Sequence, residues 1–231
     1  VHPSMTDPIG YHRVQVVATL KLLEQATRHG VGHFILASSS SVYGEHPGVP
    51  WRETATGLEP ISPYAATKLA AEQFARVHAR LHGLNTTVLR FFTVYGPRQR
   101  PDLAIHSFFR KVSDGLPIQR FGDGSTQRDY TYVDDIIAGV RGAIDRPMED
   151  LLDQGNFETF NLGNSVTVSL RDLITAIENE VGRKAVVEPR PEQPGDVPRT
   201  FAHVGKAKEQ LGYAPATQLS KGLMEFHGWY S

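Results

Sequence analysis

A tyrosine and a lysine four residues apart, Tyr64 and Lys68, form the strongest chemical signal in the sequence. In a helix this spacing places the phenol and the ammonium on one face, one turn apart. Because a neighbouring ammonium favours the phenolate, we expect Lys68 to lower the pKa of Tyr64 from its ordinary value of about 10. Such a tyrosine can act as a base toward an alcohol hydroxyl. The alternative is an ordinary Tyr/Lys pair on a helix surface.

Hydroxyl side chains follow two segments that have the pattern of buried strands. The apolar run that starts at His33 ends in Ser38–Ser41, and the run 86–92 is followed by Thr93. Short continuous apolar runs are typical of strands buried on both faces of a parallel sheet. In such sheets ligands bind at the carboxyl ends of the strands. We therefore expect these hydroxyls to lie where an α/β protein binds its ligand.

The order of the predicted elements indicates an α/β fold with parallel pairing. Helices and strands alternate along the first half: helix 12–29, a strand from His33, a helix capped by Ser62 that runs to Gly83, and strand 86–92. The second half mixes shorter elements. Helices are predicted at 104–114, 134–146, 169–181 and 204–211, and strands at 117–121, 159–163 and 185–189.

Composition excludes several classes of function. The 231 residues hold 24 Lys+Arg and 25 Asp+Glu, which argues against a nucleic-acid or membrane-surface binder because such proteins need a basic field. No apolar run approaches the roughly 18 residues of a membrane span. The chain has no cysteine, which fits a reducing cytoplasm. Its ten histidines lack metal-ligand spacing, so we predict no metal site.

Three segments follow one another in the sequence: a serine loop at 38–44 (SSSSVYG), the Tyr64/Lys68 helix, and the segment Arg90-Phe91-Phe92-Thr93-Val94-Tyr95-Gly96. In this order they resemble the extended short-chain dehydrogenase/reductase superfamily. The match is closest to its NAD-dependent nucleotide-sugar epimerase/dehydratase group, and it continues through TFNLG, QPGDV and KAKEQLGY. The resemblance implies a partial Rossmann-type parallel sheet in residues 1–96. It assigns 97–231 mainly to a smaller mixed α/β lobe that binds the nucleotide sugar, with some segments returning to the sheet.

One family motif is missing from the sequence. Members begin with a strand, a GxxGxxG turn and a helix that bind the NAD pyrophosphate, and no such pattern occurs here. From the family we expect that this N-terminal βαβ segment is missing, that two strands of the sheet remain, and that this chain by itself binds NAD weakly. An inactive, truncated sugar-nucleotide-binding protein is therefore the alternative of another class.

The resemblance also implies roles for individual residues. Tyr64 would be the base, Lys68 would bind the nicotinamide ribose, and Ser39 with Ser40 would hydrogen-bond the reacting hydroxyl. The residues implied to contact NAD are Ser38, Tyr64, Lys68, Phe91 and Phe92, although both phenylalanines could simply be strand core. The residues implied to bind the substrate are Ser39, Ser41, Thr93, Arg100, Phe121, Arg128 and Asp196. For Arg128 the alternative is a loop ion pair with Asp129.

Two places in the sequence favour an epimerase over related enzymes and indicate the sugar on which it acts. Dehydratases and decarboxylases of this group generally carry an acidic residue where this chain has Ser41, and the 4,6-dehydratases carry another where it has Ser40, because elimination needs an added acid/base. The stretch RFFTVYGPRQRPDLA is similar to that of UDP-glucuronate 4-epimerases, in which the threonine and the second arginine, here Thr93 and Arg100, hold the sugar carboxylate. Other UDP-sugar 4-epimerases, and decarboxylase or dehydratase chemistry, remain alternatives.

The resemblance further implies a cofactor and partners. NAD would be reduced and reoxidised within each cycle as the 4-ketose intermediate turns, so that none is consumed. The expected partners are a UDP-sugar and a second copy of the chain, packed through helices 12–29 and 63–82, with no nucleic acid and no membrane.

Overall fold

The computed structural model describes residues 1–147, 149, 156–193 and 195–231. Pro194 of the QPGDV motif lies outside the described residues. The α-helices are α1 (His2–Thr6), α2 (Pro8–His12), α3 (Ala18–Arg28), α4 (Pro63–His82), α5 (Ala104–Ser113), α6 (Val133–Asp145), α7 (Leu170–Val181), α8 (Gly205–Leu211) and α9 (Leu219–Tyr230). The strands are β1 (His33–Ser39), β2 (Asn85–Phe91), β3 (Thr93–Tyr95), β4 (Ile118–Phe121), β5 (Gln127–Arg128), β6 (Tyr130–Tyr132), β7 (Phe157–Leu162), β8 (Val168–Ser169) and β9 (Val187–Arg190).

A parallel three-stranded sheet in the order β1-β2-β7 forms the centre of the fold. The register pairs Ser39 with Phe91 and Phe91 with Leu162, so the three strands end at one edge. The predicted α/β class is confirmed. The sheet has one strand more than the two expected, because β7 joins it from the second half of the chain.

Helix α4 begins and ends where the sequence predicts. The Ser62 hydroxyl accepts a hydrogen bond from the Ala65 amide at 3.2 Å, and Pro63 occupies the first turn, where its missing N–H costs nothing. At the other end Gly83 adopts a φ of 67°, a left-handed conformation that glycine reaches without strain. The predicted helix 12–29 differs in one respect, since Arg13–Val17 forms a π-helical segment before α3.

The second half of the chain folds around an aromatic core. Strands β3 and β6, and β4 and β9, pair in parallel, whereas β5 and β8 pair antiparallel. Phe109 of α5, Ile177 of α7 and Phe226 of α9 lie buried together. The sequence pattern did not predict α9, which contains two glycines. Gly222 is needed there because a Cβ atom would lie 2.1 Å from the Tyr95 hydroxyl oxygen.

Asp129 is a buried carboxylate that joins segments distant in the sequence. Its oxygens accept hydrogen bonds from the amides of Asn164 at 2.7 Å, Ser165 at 3.0 Å and Ala202 at 3.1 Å, and from the Thr131 hydroxyl at 3.2 Å. Burial raises the pKa of Asp129, and these hydrogen bonds oppose the rise because they favour the ionised form. The carboxylate therefore satisfies backbone donors that would otherwise be buried without partners.

We predict that Asp129→Asn destabilises the fold by about 3 kcal/mol, because the amide nitrogen of asparagine meets N–H donors where a carboxylate oxygen accepted them. Denaturant unfolding monitored by circular dichroism measures this. The control is Asp145→Asn at the end of α6, where the carboxylate forms a solvent-exposed pair with Arg141 and the change should matter little. Equal stability of both variants would contradict the prediction.

Candidate active site

Tyr64 and Lys68 lie on one face of α4, close to the carboxyl end of β1. The Lys68 ammonium lies 5.9 Å from the centre of the Tyr64 ring and donates a hydrogen bond to the Ala37 carbonyl at 2.8 Å. The Tyr64 phenol lies beside the Ser39 side chain, which favours the ionised form of the phenol. The structure thus brings together the predicted base, the predicted lysine and one predicted catalytic serine.

The two ionisable groups are shifted mainly by burial. Burial raises the pKa of the Tyr64 phenol, and the neighbouring Ser39 side chain and the charge of Arg100 act in the opposite direction. Burial lowers the pKa of Lys68, and the Glu72 carboxylate opposes this. The expectation of a lowered Tyr64 pKa is wrong for this chain, because desolvation of the phenolate outweighs the favourable interactions.

The serine loop turns over the end of β1. Ser39 caps the 3₁₀ turn Ser40–Tyr43: its hydroxyl accepts from the Ser41 amide at 3.2 Å and donates to the Ser41 hydroxyl at 3.1 Å. Ser38 points elsewhere, because its buried hydroxyl donates to the Glu72 carboxylate. The structure therefore gives Ser38 an internal partner, and its predicted contact with NAD stays a prediction.

Two neighbouring cavities lie beside this loop. The smaller, of about 170 Å³, is lined by Ser40, Ser41, Thr93, Arg128 and Asp196 among others. The larger, of about 1060 Å³, shares Thr93, Arg128 and Asp196 and adds Phe121. Four of the predicted substrate-binding residues thus face the smaller cavity, and Phe121 faces the larger one. A volume of this size accommodates a ligand larger than a single sugar.

Arg128 forms its ion pair with Asp196, across the cavity wall, and not with its sequence neighbour Asp129. Its guanidinium donates to the Asp196 carboxylate and to the Gln127 carbonyl. Asp129, the partner considered from the sequence, instead binds backbone amides in the interior. The alternative of an Arg128–Asp129 ion pair is therefore wrong, and Arg128 and Asp196 stand together at the cavity.

The remaining predicted residues lie outside the two cavity linings. The Arg100 side chain is 71% exposed and forms a two-point ion pair with Asp102, at 3.0 and 2.8 Å. Phe92 is buried with Tyr43 and Trp51, and Phe91 packs at the edge of a second core cluster. This packing agrees with the alternative drawn from the sequence, in which both phenylalanines are simply part of the strand core. Their roles, and that of Arg100, stay predictions.

Sequence reasoning missed several residues of this region. Glu72 and Arg90 form a buried ion pair directly behind the Tyr64/Lys68 pair. The i+8 position of Glu72 relative to Tyr64 was a usable signal, since it lies on the same helix face. Among the other polar residues lining the larger cavity, Gln99 lies within the stretch RFFTVYGPRQRPDLA but was given no role, whereas Lys111, Gln119 and Arg199 belong to no motif that the sequence analysis used.

Within the described part of the chain, no helix has the length and apolar character needed to cross a bilayer. Among the same residues no group of three or more His, Cys, Asp or Glu side chains is arranged to hold a metal ion.

A parallel sheet with a Tyr/Lys helix and hydroxyls at its carboxyl edge defines a Rossmann-type short-chain dehydrogenase/reductase. The family model described as GDP-mannose 4,6 dehydratase matches residues 1–226. The chain belongs to this NAD-dependent epimerase/dehydratase family, as the resemblance implied. It is 35% identical over 242 residues to the probable UDP-glucuronate 4-epimerase of Rhizobium meliloti (strain 1021), covering 100% of this chain and 71% of that protein.

Solved structures of relatives match as well. UDP-glucuronic acid 4-epimerase from Bacillus cereus, in complex with UDP-glucuronic acid and NAD, is similar with a TM-score of 0.85 and 34% identity, over 93% of this chain and 66% of that chain. MoeE5 in complex with UDP-glucuronic acid and NAD gives a TM-score of 0.92 and 35% identity, over 99% and 74%. The chain spans 65% to 71% of the length of three curated relatives that it matches.

Proposed function

We propose that this protein is an NAD-dependent nucleotide-sugar 4-epimerase, an isomerase, that converts UDP-glucuronate into UDP-galacturonate. The observation that carries the proposal is the contact of Tyr64 with Ser39, with Lys68 one helical turn away, beside a cavity lined by Thr93 and Arg128. Relatives with UDP-glucuronic acid and NAD bound support the choice of ligands.

The chemistry of Tyr64 and Lys68 fits the nicotinamide end of NAD. Lys68 is half-buried and donates one hydrogen bond to the Ala37 carbonyl. Because an ammonium has three N–H donors, further donors remain for ribose hydroxyls. The family's pyrophosphate-binding GxxGxxG motif does not occur in the sequence. The residues that would hold NAD here are therefore Tyr64 and Lys68, at its nicotinamide ribose.

NAD, when bound, supplies the reversible oxidation at carbon 4 of the sugar. Tyr64 takes the proton of the carbon-4 hydroxyl and later returns it, because the phenol is the ionisable group in contact with the serine loop. Ser39 hydrogen-bonds the same hydroxyl and steers it toward Tyr64. Arg128 offers a charged donor to the diphosphate or the ribose.

The serine loop favours epimerisation over elimination. Ser40 and Ser41 line the smaller cavity with hydroxyls; dehydratases and decarboxylases of this group carry an acid at the position of Ser41, and the 4,6-dehydratases also at that of Ser40. A hydroxyl is a poor acid/base for the loss of water, whereas oxidation and re-reduction at carbon 4 need only the tyrosine. Mass spectrometry distinguishes these reactions, because epimerisation leaves the mass of the nucleotide sugar unchanged.

A second candidate is a 4-epimerase acting on an uncharged UDP-hexose. It is favoured by the ion pair of Arg100 with Asp102, which occupies the guanidinium expected to hold the sugar carboxylate. The UDP-glucose 4-epimerase of Thermotoga maritima matches this chain with a TM-score of 0.91 and 32% identity. Turnover of UDP-glucuronate compared with that of an uncharged UDP-hexose distinguishes the two candidates.

We also propose a cytoplasmic location, from the absence of cysteine.

We further propose that the chain forms a homodimer. Helices α3 and α4 pack on each other through Leu23, Ala26 and Ala75. Both helices keep large apolar residues on the surface, among them Leu22 and Val77. Exposed apolar surface is typical of interaction sites, and a second copy of the same helix pair would cover these residues.

Tyr64→Phe should lower turnover of UDP-glucuronate by about 10²–10⁴-fold, because it removes the proton-accepting oxygen. Calorimetry should show nearly unchanged binding of the UDP-sugar. The control is Tyr11→Phe, whose ring packs edge-to-face against Tyr64 at 6.2 Å and which has no assigned proton to move. Turnover retained in Tyr64→Phe would remove Tyr64 from the role of base.

Arg100→Met should lower kcat/KM for UDP-glucuronate by about 10–100-fold and leave UDP-glucose unaffected, since a two-point bond to a carboxylate is lost. Arg98→Met, an exposed neighbour, is the matched control. Unchanged use of UDP-glucuronate by Arg100→Met would favour the uncharged-hexose candidate.

Val77→Asp should convert the proposed dimer into a monomer in sedimentation velocity experiments, because it places a charge in the covered apolar face of α4. Ile144→Asp, at an exposed apolar position of α6, should leave the dimer intact. A monomeric wild-type chain would refute the dimer.

A further inference from the structure

Three residues of α4 at intervals of four contact three consecutive residues of β1. Tyr64 lies beside Ser39, Lys68 donates to the Ala37 carbonyl at 2.8 Å, and Glu72 accepts from the Ser38 hydroxyl. Residues at this spacing share one helix face, so the contacts form a continuous seam between helix and strand. Its innermost member, Glu72, does not contact the cavities.

The Glu72 carboxylate is locked by Arg90 of β2. The guanidinium donates from Nε to Oε1 at 3.0 Å and from Nη2 to Oε2 at 2.7 Å. The two side chains are 5% and 3% exposed. A buried pair with this two-point geometry is rigid, since either partner left alone would be a buried, uncompensated charge.

The same guanidinium reaches the far end of the serine loop. It lies 4.8 Å from the centre of the Tyr43 ring, and Tyr43 ends the 3₁₀ turn that begins at Ser40. The Tyr43 hydroxyl donates to Asn161 Oδ1 of β7 at 2.7 Å. Both ends of the loop, Ser38 and Tyr43, are therefore held by one ion pair.

We propose that Glu72 is a positioning residue: locked by Arg90, it fixes α4 against β1 in the register that brings Tyr64 to Ser39 and Lys68 to Ala37. The significance of this register rests on the proposed function of Tyr64 as the base. A merely structural role would make the pair one of several buried anchors without a specific effect on Tyr64.

The chain contains a matched control for that alternative. Arg146 and Glu158 form a second buried ion pair whose side chains are also 5% and 3% exposed; Glu158 also lies near the Lys206 ammonium, and the Arg146 guanidinium lies over the Phe160 ring. Glu158→Gln thus removes a carboxylate of equal burial from a neighbouring strand of the same sheet. Its stability loss should resemble that of Glu72→Gln.

The test is carbon-13 NMR of the full chain without ligand, with tyrosine labelled at Cζ. The Tyr64 signal is identified by its loss in Tyr64→Phe, and Ser39→Ala shows where it moves when the contact with the Ser39 hydroxyl is lost. We expect Glu72→Gln and Ser38→Ala to move it in the same direction, and Glu158→Gln to leave it in place. Ser38→Ala removes no charge, so it is the variant to compare with Glu158→Gln if Glu72→Gln does not fold.

A Tyr64 signal that stays at the wild-type position in the folded Glu72 and Ser38 variants overturns the proposal. An equal displacement in Glu158→Gln also overturns it, because loss of any buried pair would then loosen the site. The measurement needs neither turnover nor a bound nucleotide. Its outcome is therefore independent of whether the chain epimerises UDP-glucuronate, and the two proposals fail separately.

Discussion

The parallel register of β1, β2 and β7 is the constraint on which the site depends. It ends the strands at Ser39, Phe91 and Leu162, so the segments that leave the sheet do so side by side. The serine loop leaves β1 and Thr93 begins the next strand after β2, at one edge of the sheet. A shift of β1 by one residue would exchange the faces of Ser38 and Ser39 and break the contact with Tyr64.

Buried carboxylates hold the segments that the sheet does not reach. Asp129 binds three backbone amides from segments that follow β7 and precede α8, and its own carbonyl accepts from the Thr93 amide at 3.1 Å. Glu158 of β7 pairs with Arg146 at the end of α6. Because an unpaired charge in the interior is costly, each carboxylate specifies one arrangement of its partners.

Local signals in the sequence sufficed for the elements that carry the candidate site. The cap at Ser62, the stop at Gly83 and the apolar run before Ser38 are each contained in a few consecutive residues. The pairing of β3 with β6 was not predictable in this way, because each strand has three residues and the partners are 37 positions apart. Likewise, Asp196 is 68 residues from Arg128, whereas Asp129 is adjacent in sequence but turned inward.

The acidity of Tyr64 shows why chemistry is harder to predict than position. Spacing places Lys68 beside the phenol, but the pKa depends on how much water the fold removes from it, which is a tertiary property. Burial raises the pKa of Tyr64 and lowers that of Lys68, so both groups are pushed toward their neutral forms. The same burial makes any added charge or hydrogen bond at the phenol more effective than in water.

The position of Arg100 is consistent with recognition of an anionic sugar for a related reason. Its partner Asp102 is an exposed carboxylate, and exposed ion pairs contribute little to stability because water and salt screen them. Exchanging Asp102 for a ligand carboxylate in a less hydrated site would therefore replace a weak pair with a stronger one. The charge of Arg100 already acts on Tyr64, so its side chain lies within electrostatic reach of the proposed base. The exposed pair with Asp102 therefore leaves the planar fork of Arg100 available to a ligand carboxylate, and its role in substrate specificity stays a prediction.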